Sequence, residues 1–364
     1  MEDLGMTAAF FAGRRVLVTG HTGFKGAWLS AWLSSAGADV TGYALPPEGQ
    51  PNLWSLLDVS GMRSINGDLN DRETLDRVIA ETRPEFVFHL AAQSLVRRSY
   101  REPVETFASN VLGTVQLLDA LRAAPDLRAV VVATSDKAYE NAEQIWGYRE
   151  TDPMGGQDPY SASKGATEIA TAAMRRSFFS ENAAGAHPAQ VATARAGNVI
   201  GGGDWAEDRL VPDIVRGCLG EDGCVHLRHP NAIRPWQHVL EPLRGYLMLA
   251  QALDGNADFA SGWNFGPDRD DERPVVDVAN AIVAALGQGR IKTDPNAATV
   301  HEATMLRLDV SKARTGLGWY PALSFEDTVA FTADWYAGWS RGELAAELCR
   351  TQISAYETLL QRQG

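Results

Sequence analysis

Cysteine, lysine and long apolar runs are all scarce in this 364-residue chain. The three cysteines, Cys218, Cys224 and Cys349, are too few and too scattered for a disulfide framework or a zinc site. They read as reduced structural thiols of a cytoplasmic protein. No apolar stretch approaches the roughly 20 residues of a bilayer-spanning helix, and the most apolar short run, Ala129 to Ala133, falls far below it. The first residues are acidic and carry no long apolar core before Arg14-Arg15, so a secretory signal is not expected. A basic excess is missing too: 33 Lys and Arg against 46 Asp and Glu leave a net charge of −13. This argues against a nucleic-acid partner held by phosphate neutralisation, and no basic run suggests a membrane-surface patch. An anionic small molecule stays compatible with the charge if its cations are gathered locally in a pocket.

What is present is ordinary for a globular protein, with 45% hydrophobic and 22% charged residues. The length suits about two domains. Through the first half, short β-branched runs alternate with helical patterns. Val16-Leu17-Val18, Asp39 to Tyr43, Phe86 to Leu90, Ala129 to Ala133 and Val191 to Ala196 read as strands. Trp28, Leu29, Trp32 and Leu33 recur at helical spacing between Lys25 and Ala36. Asn70-Asp71 can cap a helix that Arg83-Pro84 stops, and Val104 to Leu121 and Tyr160 to Phe178 read as long helices. Apolar strands separated by helices are buried on both faces, which is the doubly wound parallel α/β pattern. After about Gly197 the rhythm breaks into Gly-, Pro- and Trp-rich segments with shorter helices. The expected organisation is a nucleotide-binding domain over residues 1–197 and a smaller, mainly substrate-binding domain over 198–364, with some segments returning to the first.

Gly20-His21-Thr22-Gly23-Phe24-Lys25-Gly26 lies between the first strand and the first helix. Glycines there permit a tight turn, close approach to a pyrophosphate and packing of helix on sheet, and the helix start offers free N–H groups. The spacing G-x-x-G-x-x-G differs from the simpler G-x-G-x-x-G. No Lys or Arg occurs between Lys25 and Arg63, so nothing in that stretch would hold a 2′-phosphate and NAD is favoured over NADP. Lys25 and His21 could reach toward the adenosine phosphates. Asp68 and Leu69, after the third strand, are placed to contact adenine.

The chain has five lysines against 28 arginines, and three of the five fall in candidate site motifs. Where arginine is the default cation, a lysine suggests a need to shed a proton. Tyr160 and Lys164 stand four residues apart, on one helical face. A cation there is expected to stabilise phenolate and lower the tyrosine pKa. Thr134-Ser135-Asp136-Lys137 ends a strand at the carboxyl edge, where open α/β sheets bind ligands. Ser135 could hydrogen-bond a substrate hydroxyl beside Tyr160, with Asp136 and Lys137 adding an acid and a base.

These residues resemble the extended short-chain dehydrogenase/reductase superfamily, a Rossmann-fold group. Within it, five longer motifs resemble the nucleotide-sugar 4,6-dehydratases of the CDP-glucose type. They are His21-Thr22-Gly23-Phe24-Lys25-Gly26, Thr134 to Lys137, Trp146-Gly147-Tyr148-Arg149-Glu150, Ala196 to Trp205 and Ile233 to Val239. The resemblance implies NAD held by Gly20, His21, Thr22, Gly23, Phe24, Lys25, Gly26, Asp68, Leu69, Leu90, Ala91, Ala92, Tyr160 and Lys164. It implies that CDP-D-glucose is oxidised at C4, loses water across C5 and C6, and is reduced at C6 to CDP-4-dehydro-6-deoxy-D-glucose. Tyr160 would then take the 4-OH proton, Ser135 orient the sugar and Asp136 protonate the leaving 6-OH. A glutamate follows this Asp in the dTDP-glucose relatives; here Lys137 stands in its place, as C5 base or as stabiliser of the enolate. Arg209 and Arg234 are candidates for the substrate pyrophosphate, with Asn198 and Asn264 as further substrate contacts; Trp205 and Trp236 read as core. No metal is implied.

Two other readings compete. A nucleotide-sugar 4-epimerase would keep the glycine turn, Ser135, Tyr160 and Lys164 but has no use for Asp136-Lys137, and a redox-sensing regulator would be expected to lose the Tyr or the Lys. Another nucleoside-diphosphate preference is the remaining alternative within the dehydratases. In this superfamily the counterparts of the Val104–Leu121 and Tyr160–Phe178 helices pair across a two-fold axis, implying a homodimer or a tetramer.

Overall fold

Val16-Leu17-Val18 offers water no polar side chain, and the fold gives it apolar neighbours on both faces. In a computed structural model describing residues 7–59, 61–180, 185–227, 229–293 and 306–363, strand β1 (Arg15–Thr19) lies inside a seven-stranded sheet. It is joined by β2 (Asp39–Ala44), β3 (Arg63–Asn66), β4 (Phe86–His89), β5 (Ala129–Ala133), β6 (Gln190–Ala196) and β7 (Gly262–Phe265). The order is β7-β6-β5-β4-β1-β2-β3, and every neighbouring pair is parallel. Parallel neighbours need crossover connections, so helices cover both faces. The winding reverses beside β1, which has β2 on one side and β4 on the other. The crevice outside the carboxyl ends at that reversal is where such sheets take their ligands.

Alternate residues of the buried strands feed two cores. Val16, Val18, Phe86, Phe88 and Val131 pack with Trp28, Trp32, Tyr246 and Trp335, whereas Leu17, Val87, Val130 and Val132 pack with Leu75, Val78, Leu117 and Leu121. Helix α1 (Phe24–Ser35) buries Trp28, Leu29, Trp32 and Leu33, the residues whose spacing announced it. Asp71 caps the Arg72–Thr82 helix by accepting from the Thr74 N–H at 3.1 Å, and Arg83 leaves it in a left-handed conformation just before Pro84.

The Val104–Leu121 helix departs from expectation. It runs helically from Pro103 to Leu121 but is interrupted by a π turn at Ala108–Leu112. The wider turn frees the Asn110 carbonyl to accept from Thr114 and Thr167 at 2.7 and 2.8 Å. Its amide meanwhile donates to Gln93 O and Ser163 Oγ.

The second half does not form a core of its own. Strand β7 pairs with β6 in the main sheet, and the Leu240–Leu253, Phe325–Ser340 and Ala345–Gln363 helices pack into the same cluster as β1. Three two-stranded pairings contributed largely by residues 199–238 complete this half. All three cysteines are buried and free. Among the described residues no helix is long and apolar enough to cross a membrane, and no His/Cys/Asp/Glu group is arranged to hold a metal.

The glycine turn fixes how α1 meets the sheet. Gly20 has φ +75°, and a Cβ on Gly26 would stand 2.1 Å from the Gly20 carbonyl oxygen. Gly26→Ala is therefore expected to force the turn open and lower stability by about 1–3 kcal/mol, read as a lower denaturant midpoint. An unchanged midpoint would show that the contact is not constraining.

Candidate active site

The carboxyl ends of β1, β4, β5 and β6 open onto a cavity of about 930 Å³. Its walls collect Gly20 and Thr22 to Gly26 from the turn, Asp68-Leu69, Leu90-Ala91-Ala92, Ser135-Asp136-Lys137, Tyr160 and Lys164. Residues from five separate stretches of sequence thus share one space. Gly23 begins α1 without any side-chain cap, so the first-turn N–H groups have no side chain from the cap residue in front of them. A cavity of this size, a turn tight enough for close backbone approach and an uncapped helix start fit the pyrophosphate of a dinucleotide. Strand β2 itself ends without a carboxylate; the wall there is Ala44, Leu45, Pro46 and Pro47, followed by Glu48.

His21 is not in that wall. Its ring is fully buried beneath the turn, shares a 2.7 Å hydrogen bond with Ser64 and meets Trp54 edge-on. Burial holds it neutral, down at about 4. Its expected reach toward the adenosine phosphates is therefore corrected: the imidazole packs against Gly42, where a Cβ would collide with the ring. Lys25 goes elsewhere as well. It lines the cavity, half-buried, within the fields of Lys164, Arg209, Asp136 and Asp204. Burial first, then the like charges of Arg209 and Lys164, bring its amine down to about 7. Sequence spacing put it with the phosphates; the fold puts it with the proton-transfer groups.

Ser135, Asp136, Tyr160 and Lys164 are all buried. Ser135 Oγ donates to Asp136 Oδ1 at 3.0 Å and accepts the Lys137 N–H at 3.2 Å. It also hydrogen-bonds the Tyr160 phenol. Burial raises the Asp136 pKa against the pull of Lys137, Ser135 and Arg234, and its Oδ2 has no hydrogen-bond partner. A carboxyl so placed is inclined to keep its proton and donate it. Lys164 reaches the Ala133 carbonyl at 3.5 Å, and burial brings it down to about 8. The expected lowering of Tyr160 is corrected. Burial pushes the phenol up to about 12, and the Ser135 hydrogen bond and Arg209 offset that only in part. Dry walls outweigh the cation four residues away.

Toward the far end, Asn198, Arg209 and Arg234 line the cavity as expected. Arg209 is paired, to Asp204 at 3.0 Å and to Ser94 at 2.8 Å. Arg234 is buried within the field of Asp136. Asn264 is not brought to the site. Its amide is spent on Tyr139, Tyr148 and Asp309, a tie between β7 and the Trp146–Glu150 motif. That motif is structural throughout: Tyr148 stacks on Tyr139 at 5.2 Å, and Glu150 accepts the Asn264 N–H. Trp205 and Trp236 do both jobs, packing into the core cluster while presenting a surface to the cavity. Two cations were missed, Arg97 and Arg98, which follow β4 and pair with Asp208 and Glu48 across the cavity rim. Their place just past the carboxyl end of a central strand was the available signal.

The sequence model of the GDP-mannose 4,6 dehydratase family matches residues 17–332. The chain belongs to this family. The dehydratase is 47% identical over 349 residues to the CDP-glucose 4,6-dehydratase of Salmonella typhimurium, covering 95% of this chain and 97% of the relative. MoeE5, solved in complex with UDP-glucuronic acid and NAD, is 26% identical with a TM-score of 0.74, covering 90% and 99%. The dTDP-glucose 4,6-dehydratase of Bacillus anthracis, solved in complex with NAD, has the same fold (TM-score 0.75, 21% identity, covering 92% and 99%).

Burying Lys25 has a consequence for stability. Its folded value of about 7 lies below its ordinary 10.5, so between those pH values the unfolded chain binds the extra proton. Stability then rises with pH across that window. Lys25→Met, which removes the buried charge, is expected to be more stable than wild type near pH 6–7 by an amount that shrinks steadily toward about pH 10. A stability difference independent of pH, in parallel denaturation series, would contradict the burial.

Proposed function

We propose that this dehydratase converts CDP-D-glucose to CDP-4-dehydro-6-deoxy-D-glucose and water, with no net oxidation, as a step in making a deoxysugar. The observation that carries the reading is the convergence of Tyr160, Asp136, Lys137 and Lys164 on one cavity that also holds the glycine turn. The similarity to the Salmonella enzyme supports cytidine as the nucleoside. Nucleotide-sugar ligands in the related MoeE5 structure support the substrate class.

NAD would be held by Gly20, Thr22, Gly23, Phe24 and Gly26 of the turn, with Asp68, Leu69, Leu90 to Ala92, Tyr160 and Lys164, and would supply the acceptor for the C4 hydride that is later returned to C6. The protein's residues move the protons. Tyr160, as phenolate, takes the proton of the 4-OH as C4 is oxidised; Ser135 and Arg209 favour that form against burial. The resulting ketone acidifies the C5 hydrogen. Lys137 serves as the C5 base or as stabiliser of the enolate, and Asp136, its pKa raised by burial, gives a proton to the 6-OH so that water departs. Reduction at C6 and reprotonation at C5 complete the cycle. Arg209 and Arg234 hold the substrate pyrophosphate, supplying the local cations that a chain of net charge −13 needs. The protein works in the cytoplasm as a homodimer, joined through the helices that carry the exposed Val104, Leu112 and Ile169.

Incubation with CDP-glucose is expected to yield a 4-keto-6-deoxy sugar, with slower turnover of dTDP-, UDP- and GDP-glucose. A product inverted at C4 that retains its 6-OH would instead establish an epimerase.

Two substitutions test the roles. Tyr160→Phe is expected to lower the initial oxidation by about 10²–10⁴-fold while leaving cofactor bound. Lys137→Met is expected to slow exchange of the C5 hydrogen with deuterated solvent. Unchanged exchange would pass the base role to Lys25, another amine of the cavity, brought down to about 7.

A further inference from the structure

The helix that carries Tyr160 and Lys164 holds a third ionisable group one turn further on, and the mechanism above makes no use of it. Glu168 is buried together with Arg195, each about 5% exposed. Its carboxylate accepts four hydrogen bonds: from Thr134 Oγ1, from Thr193 Oγ1 at 2.6 Å, and from Arg195 Nε and Nη2, both at 2.8 Å. Four donors on two oxygens fix it as an anion, and its pKa is accordingly held low. Arg195 is held in turn, donating to Tyr139 at 2.6 Å with its guanidinium over that ring. Nothing in this arrangement can move away without leaving a charge unpaired in a dry interior.

A structural ion pair would suffice to join the helix to β6. The position of this one does more. Glu168 lies on the same helical face as Lys164, four residues on, and one of its donors, Thr134, immediately precedes Ser135. The groups whose fields meet at Lys164 come from several elements: Lys25 from α1, His89 from β4 and Glu168 from its own helix. Of these, Lys25 is a like charge when protonated, and burial keeps His89 neutral. Glu168 alone is an anion.

We propose that Glu168 is a positioning residue for the dehydration: its charge holds the proton on Lys164, and its bond to Thr134 fixes the strand end that aims Ser135 at Tyr160. This rests on Lys164 working as an ammonium beside Tyr160. Burial brings the Lys164 amine to about 8, and Glu168 is the charge that opposes a further fall.

Lysine ¹³Cε labelling tests the proposal directly, because five lysines give few signals to assign. The titration midpoint of Lys164 is to be read in the intact protein without substrate, with exposed Lys292 as internal control. Glu168→Gln is expected to lower that midpoint by about one pH unit or more, a tenfold weaker hold on the proton, and Glu168→Asp is expected to restore it. Glu168→Gln strands Arg195 and can fail to fold. The double variant Glu168→Gln/Arg195→Met removes both charges, and it too is expected to lower the midpoint. A midpoint equal to wild type in the folded double variant would overturn the proposal and leave the pair a structural tie. If instead the midpoint falls but wild-type protein does not turn over CDP-glucose, the assigned reaction fails and the role of Glu168 toward Lys164 stands.

Discussion

Removal of ionisable side chains from water is the constraint on which this site depends. Asp136, Tyr160 and Lys164 are buried and Lys25 half-buried, and for each of them burial is the largest influence on its proton. Desolvation acts against charge whatever its sign. It therefore brings the amines down and the carboxyl up, moving those groups toward each other, while it carries the phenol away from both. Proton exchange among unlike groups is easiest when their affinities are close. A cavity that merely gathered these residues in contact with solvent would hold fixed cations, a fixed carboxylate and an inert phenol.

Such burial is possible only because the surrounding fold is rigid on both sides of the sheet. Strand β1 feeds one core with Val16 and Val18 and the other with Leu17, so the strand end bearing the glycine turn cannot tilt without disturbing both. Gly20 and Gly26 then bring α1 close enough for Lys25 to enter the cavity from below the turn. The second half of the chain closes the far wall, and it is anchored in the same way: β7 joins the main sheet, and Trp28 Nε1 donates to the Gly202 carbonyl at 2.9 Å. The cations that suit an anionic substrate are placed on these anchored segments, Arg209 against buried Asp204 and Arg234 beside Trp236. Net charge, an average over the surface, says little about such a pocket.

What could be read from the sequence follows the same physics. Periodicity reports burial, so the strands, α1 and the Asp71-capped helix were legible, as was the parallel winding. Glycine spacing reports backbone geometry, and the turn was found on it. The i, i+4 pair of Tyr160 and Lys164 and the strand-end position of Ser135 to Lys137 located the site. Side-chain destination was not legible. Lys25 and His21 stand in one motif, yet Lys25, on the first turn of α1, enters the cavity and His21, in the turn before it, packs against Gly42 and Trp54. Asn264 looked like a ligand contact and is consumed by Tyr139, Tyr148 and Asp309, which lie more than forty residues away in sequence. The direction of the Tyr160 shift was missed because a neighbouring cation is visible in a sequence and the dryness of a wall is not.

The pairing of Asp136 with an amine at 137, where dTDP-type relatives carry a glutamate, becomes intelligible in these terms. Two adjacent carboxyls in a dry site repel when both are ionised, so one keeps its proton and serves as acid while the other serves as base. A carboxyl beside an amine meets opposing pulls: burial raises the Asp136 pKa and inclines it to keep a proton to give, while Lys137 beside it works the other way. Lys25 and Lys164 bear on that balance, since added positive charge favours loss of a proton from any amine nearby. A buried anion fixed by four donors, as Glu168 is, keeps that pressure from stripping Lys164 as well. Glu168, placed one helical turn from Lys164 and acting on its amine, is the asymmetry that sets that lysine apart from the others of the cavity.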